Sequence, residues 1–231
     1  MTLLSGRPAL LASPPTFGSG GTEPYAAALR EEAAVLYLRH DTAHSPASAP
    51  MDSGRWSADA DATDLDVLSG ATGPVLDIGC GPGRMIRAAL DLGLSAAGVD
   101  VSPTAVRIAT AAGLTVLNRS VFAALPLEGD WGTALLLDGN IGIGGDPGAL
   151  LARCAELLSV NGAVLVEVSH DPERDHAYEG TLEDERGRRS DVFPWAEIGI
   201  VALRARASEA GWRVAQDWVS DGRWFARLVR R

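Results

Sequence analysis

The sequence predicts an α/β fold, a doubly wound and largely parallel sheet with helices on both faces. Three observations carry that expectation. Short apolar runs alternate with helical patterns through the middle of the chain, and repeated β-α units call for right-handed crossovers. One apolar run, Val75, Leu76 and Ile78, passes straight into glycines at every second position, Gly79, Gly81 and Gly83. The chain then ends on two strand-like runs, 212–219 and 224–230, on either side of Asp221-Gly222, a strong hairpin signal.

In chain order, residues 1–21 are rich in Pro, Gly and Ser and read as a flexible arm, not a signal peptide. Residues 22–69 read as a helical cap with a loop. A first helix is expected over 22–39, where Tyr25, Leu29, Ala33 and Leu36 repeat at helical spacing behind a Thr22 cap. A loop is expected over 40–55, where Pro46 and Pro50 argue against placing His40 and His44 on one helix face. A second helix is expected over 59–69, its first turn acidic, with Trp56 just before it as an anchor or a cofactor cover. The main domain, 70–231, should hold strands at 74–78, up to Asp100, at 114–117, 133–137 and 163–168. Helices should follow at 83–92, 103–112, 147–158 and 195–210. Ser102-Pro103 and Asp146-Pro147 each give an N-cap followed by proline in the first turn.

The glycine loop narrows the ligand. A dinucleotide fingerprint needs its third glycine at 84, and that residue is Arg84. Asp77-x-Gly79-x-Gly81-x-Gly83 instead resembles motif I of the class I S-adenosylmethionine-dependent methyltransferases. With the terminal hairpin, the resemblance implies their seven-stranded Rossmann-like sheet, order 3-2-1-4-5-7-6 with the last strand antiparallel, preceded here by the N-terminal helical cap. It covers about 59–231. It implies that Asp77, Gly79, Cys80, Gly81 and Gly83 lie against the methionine end of the cofactor. Asp100, with Val101 beside it, would take the ribose hydroxyls. Ser120 stands where the family often has the acid that receives the adenine amino group, and Val121 would pack on the ring. A serine can accept that hydrogen bond, without charge assistance.

The remaining strand ends supply further candidates. Asp138 opens a segment with four glycines within seven residues, so that segment is read either as a cofactor and acceptor contact or as a plain turn before the Asp146 cap. Asp138 is a candidate for the cofactor ammonium or for a general base, and Asn140 for orienting an acceptor. His170 is a general-base candidate or a structural strand-end histidine. The interval 169–194 commonly carries acceptor recognition in the family, and Tyr178, Phe193 and Trp195 are its aromatic candidates. His170, Asp171, Asp175 and His176 match no standard metal spacing, so no metal is expected.

Composition bounds the chemistry. The 231 residues carry a formal charge of −10, which argues against nucleic acid. No apolar run approaches the roughly 18 residues of a membrane span. Cys80 and Cys154 are too few for a disulfide framework, so a reducing cytoplasm is expected. All 20 basic residues are arginine, which excludes a Walker lysine and a Schiff-base lysine. The expected activity is S-adenosylmethionine-dependent methyl transfer to an O, N, C or S nucleophile of a small-molecule acceptor. The alternatives are another use of the same cofactor, or a non-catalytic cofactor-binding partner protein.

Overall fold

The computed structural model describes residues 15–18, 24–30, 35–42, 45–51 and 53–231, with backbone alone at 41–42 and 45–50. The glycine-loop unit comes first in importance. Strand β3 (Val75–Ile78) is wholly buried, so all four of its residues are apolar or, in Asp77, turned to a site. It feeds helix α4 (Arg84–Asp91) through Gly83, whose φ of +92° is open to glycine and strained for other residues. Strand β4 (Ala96–Asp100) leads into α5 (Pro103–Ala111), capped by Ser102, and then into β5 (Val116–Asn118). Strand β6 (Trp131–Leu136), the 3-10 segment Asn140–Gly145, α6 (Pro147–Leu157) and β7 (Leu158–Val168) continue the alternation. After α7 (Ile200–Glu209) the chain closes with β10 (Trp212–Ser220) and β11 (Arg223–Arg230).

These seven strands form one sheet, ordered β5-β4-β3-β6-β7-β11-β10, in which β11 runs antiparallel to β7. Renumbered along the chain, this is the expected 3-2-1-4-5-7-6. Leucine, valine and alanine from both faces fill the core, with Trp212, Phe225 and Leu136 fully buried. Among the described residues no helix is long and apolar enough to cross a membrane.

A second sheet departs from expectation. The helix expected over 22–39 is only α1 (Pro24–Ala28) within the described residues, because Leu36–Thr42 is strand β1. The loop expected over 40–55 contains strand β2 (Ser45–Met51) and α2 (Ser53–Ser57), ahead of α3 (Ala62–Ser69). Thr22 and His44 lie outside the described residues, as does most of 1–21. The interval after β7 holds β8 (Asp175–Asp184) and β9 (Phe193–Ile198), so the helix expected from 195 begins only at Ile200. The strands pair antiparallel in the order β2-β1-β8-β9. Long-range pairing decides the outcome. Leu36 and Leu38 bury against β8 opposite Asp184 and Leu182, and tertiary burial overrides local helical spacing. The segment Asn140–Gly145 packs closely under β9. A Cβ on Gly142 would collide with the Ala196 carbonyl oxygen and sit 2.8 Å from the Trp195 ring.

Candidate active site

The C-terminal ends of β3, β4, β5 and β6 open into a cavity of about 740 Å³, roofed by the second sheet and residues 15–18. Strand ends at a switch point of an open α/β sheet are where ligands bind. The floor holds the glycine loop. Gly79, Cys80 and Gly81 line it, and Gly81 N–H donates to Asp100 Oδ2 at 2.8 Å. Asp100 Oδ1 accepts from Ser102 N–H at 2.7 Å, so this carboxylate ties loop, strand and helix together. Burial pushes Asp100 up to about 6, against the pull of these backbone donors. Asp77 is buried, lines the same floor and has no side-chain hydrogen bond among the described residues; burial pushes it to about 7.

Beside the loop lies a buried ion network. Arg84, 4% exposed, donates to Asp64 and, at 2.5 Å, to Asp138 Oδ2. Arg223, from the terminal hairpin, grips Glu167 at 2.9 and 2.6 Å and reaches Asp64 at 3.0 Å and Asp138 at 3.4 Å. Arg55 adds a contact to Asp64 at 2.8 Å. Burial would raise Asp64, but Arg84 and Arg223 outweigh it and hold the carboxyl at about 2. Asp138 has φ +53°, and its N–H donates to Glu167 Oε2 at 2.8 Å, which fixes that unusual backbone. Burial raises the Asp138 carboxyl, with Arg84 opposing.

The roof is aromatic. Phe17 stands 5.1 Å from Trp195, 5.3 Å from Tyr25 and 6.3 Å from Trp56, between ring centroids. Edge-to-face and tilted pairs of this kind are favoured by the ring quadrupoles.

Of the sequence-predicted residues, Asp77, Gly79, Cys80, Gly81, Asp100, Val101, Ser120, Val121, Asp138, Asn140 and Trp195 come together around the cavity. Gly83 does not line it; its place is the turn into α4. Asn140 reaches the cavity but spends its amide on the glycine loop, donating to the Ile78 and Gly79 carbonyls at 2.9 and 3.1 Å. Its amide thus fastens the glycine loop. His170 is exposed and does not line the cavity. Ser169 N–H pairs with the Ile198 carbonyl, and the chain turns outward there to begin the β8–β9 excursion. Tyr178 is also outside, its hydroxyl donating to Glu197 at 2.8 Å. Phe193 is 1% exposed and sits behind the wall, packed on Phe17. Among the described residues no cluster of His, Cys, Asp and Glu is arranged to hold a metal ion.

Sequence reasoning missed Phe17, Tyr25 and Met51 in the roof and the network of Arg55, Asp64, Glu167 and Arg223. Arg84 was noticed only as the residue that excludes a dinucleotide. An arginine inside an apolar strand-to-helix turn was itself a signal, because a buried guanidinium needs carboxylates.

Comparison with known proteins follows the same division. Residues 75–162, which span the glycine loop, β4 and β6, match the methyltransferase domain family. No curated protein matches the chain by sequence. Among solved structures, the chain is similar to an S-adenosylmethionine-dependent methyltransferase from Bacteroides fragilis in complex with S-adenosylhomocysteine. The TM-score is 0.74 at 20% identity, over 90% of this chain and 94% of that one. It is also similar to 1,6-didemethyltoxoflavin-N1-methyltransferase from Burkholderia thailandensis, with TM-score 0.54 at 18% identity over 73% and 77% of the two chains. A third likeness is to the glycopeptide N-methyltransferase MtfA, with TM-score 0.54 at 15% identity over 76% and 96%. These likenesses concern the fold, and the match to the methyltransferase domain covers residues 75–162.

Proposed function

We propose that this chain transfers a methyl group from S-adenosylmethionine to a small-molecule acceptor held in the 740 Å³ cavity. The observation that carries the cofactor half is a complementary pair on the floor. Among the described residues, Asp77 is a buried carboxylate with no hydrogen-bond donor and Arg84 Nε is a buried N–H with no acceptor. A methionine moiety carries an ammonium and a carboxylate, the two groups that such a pair lacks. Asp138 suits the ammonium less well than expected, because Arg84 and Arg223 occupy its oxygens. The Asp100 carboxylate sits at the end of β4, where ribose hydroxyls can replace or share its backbone donors. Val101, Ser120 and Val121 line the neighbouring end, where the adenine would sit.

Bound there, S-adenosylmethionine supplies a methyl carbon on cationic sulfur: the acceptor's lone pair takes the methyl and the carbon–sulfur electron pair stays on sulfur. The chain's part is to align the two partners and keep water out, and orientation of this kind lowers a barrier by several kcal/mol. Where the acceptor must lose a proton, Asp138 is the base candidate that lines the cavity, and taking the proton requires Arg84 and Arg223 to release its oxygens. The small-molecule reading rests on the roofed cavity and on the net charge of −10, which opposes nucleic acid. Structures similar to this chain include a 1,6-didemethyltoxoflavin-N1-methyltransferase and a mitomycin 7-O-methyltransferase, both named for small acceptors.

The test is product analysis with methyl-labelled S-adenosylmethionine over an acceptor panel. Label on an acceptor, with stoichiometric S-adenosylhomocysteine, supports the reading. Release of methylthioadenosine, or binding without turnover on any acceptor, overturns it.

A further inference from the structure

We infer that the acceptor is a neutral, ring-bearing molecule, held by its ring faces against the aromatic roof; this deepens the methyl-transfer reading and rests on it. The cavity is chemically two-sided. All its carboxylates, Asp77, Asp100 and Asp138, come from the strand ends of the floor. The roof side is Phe17, Tyr25, Met51, Trp56, Pro194 and Trp195, and among the described residues it brings no acidic or basic side chain to the cavity.

This lack of charge is a property of the cavity and not of the whole second sheet. On the same face as Trp195, β8 and β9 carry His176, Tyr178 and Glu197. His40 stacks on Tyr178 with centroids 4.5 Å apart. Those polar groups bond to one another outside the cavity: Tyr178 to Glu197 at 2.8 Å, and Arg174 to Glu197 at 2.7 Å. The sheet therefore segregates its polar end from its aromatic end, and only the aromatic end meets the cavity.

The rings are not closed into a solid plug. Phe17 and Trp56 keep partial exposure while lining the cavity, whereas Phe193 behind them is buried. Phe17 and Trp195 pack on each other with planes tilted by 33°, and both rings line the cavity. A planar ring gains dispersion and quadrupole contacts there. A charged acceptor would give up hydration and find no counter-charge in the roof. Two guanidiniums line the cavity, both on the strand-end side: Arg84 is bound to Asp64 and Asp138, and Arg119 donates to the Ala124 carbonyl at 2.8 Å. An anionic acceptor would also face the three floor carboxylates.

The experiment separates ring from charge. Protein saturated with S-adenosylhomocysteine is titrated with 2-naphthol, 2-naphthoate and glucosamine, followed by calorimetry and by the tryptophan fluorescence of Trp56 and Trp195. The expected result is 2-naphthol binding with quenching, at least about tenfold tighter than either charged probe. Trp56→Ala should weaken 2-naphthol about tenfold and Trp56→Phe should restore most of it, with S-adenosylhomocysteine affinity held within about twofold. Equal or tighter binding of 2-naphthoate or glucosamine overturns the inference, as does no binding of 2-naphthol to protein that binds S-adenosylhomocysteine. Titration with S-adenosylhomocysteine alone is a separate arm. Its failure overturns the cofactor reading, while the ring preference is read independently on the protein without it.

Discussion

The floor of the cavity comes largely from one stretch of chain, 75–138, whereas its roof is assembled from residues near 17, 51 and 195. The floor is polar, tied by backbone hydrogen bonds and ion pairs. The roof is apolar and tied by ring contacts. The difference teaches how two tasks are divided. On the proposed reading, the cofactor is met by local, contiguous motifs, and the acceptor by a sheet in which β1 pairs with β8 across much of the chain.

The most severe way to break the floor is Arg84→Met. It takes from Asp64, 1% exposed, and Asp138 the most buried of the guanidiniums they share. Breaking such a buried pair costs about 3–5 kcal/mol. Urea unfolding should show a loss of that size, with the roof contacts untouched by the substitution itself. A loss within experimental scatter would mean that Arg55 and Arg223 already satisfy the network.

Next in size is Asp100→Ala. Losing two charge-assisted bonds to ribose should weaken S-adenosylhomocysteine by about 3 kcal/mol or more, about a hundredfold. Calorimetry reads this directly, and unchanged affinity would remove Asp100 from the site. The joint between the regions is probed by Gly142→Ala, whose new Cβ meets the Ala196 carbonyl and the Trp195 ring. Overpacking of this kind costs about 1–3 kcal/mol. Hydrogen exchange should rise in β8 and β9 while β3 and β4 stay protected. A rise spread evenly over both sheets would contradict the division.

The smallest effect is in pH. Asp77 and Asp100 have raised folded-state affinity for protons, at about 7 and about 6. Their contribution to stability is therefore present below the ordinary carboxylate range and fades as pH rises through those values. A ligand that meets the ionised forms should bind more tightly over the same rise, by about three- to tenfold. Asp64 has the opposite sign: held at about 2, it stabilises above its ordinary 3.8, and that stability is lost as pH falls toward about 2. Titrations across pH that show flat or falling affinity would place the ligand away from Asp77 and Asp100.

The same division explains what the sequence could tell. The glycine loop, the Asp100 strand end and the Asp146-Pro147 cap are each decided by a few neighbouring residues, and the seven-strand order is what the family resemblance carried by the glycine loop and the terminal hairpin implies. The second sheet is decided by partners more than a hundred residues apart, such as Leu38 opposite Leu182. A faint signal existed. His176, Tyr178, Gly180 and Leu182 alternate with Ala177, Glu179 and Thr181, and Phe193, Trp195 and Glu197 repeat the period of two. Alternation in a polar interval reads as loop until its partner strand is known. His170 lies outside the cavity, where β7 leads into the β8–β9 interval and Ser169 N–H bonds to the Ile198 carbonyl.

The most direct test is calorimetric titration of the full chain with S-adenosylmethionine, S-adenosylhomocysteine and NADH. The account predicts saturable one-to-one binding of both sulfur nucleosides and none of NADH, because Arg84 stands where a dinucleotide loop requires glycine. Binding of NADH, or of neither sulfur nucleoside, would contradict the assignment of Asp77, Asp100 and the glycine loop to that cofactor.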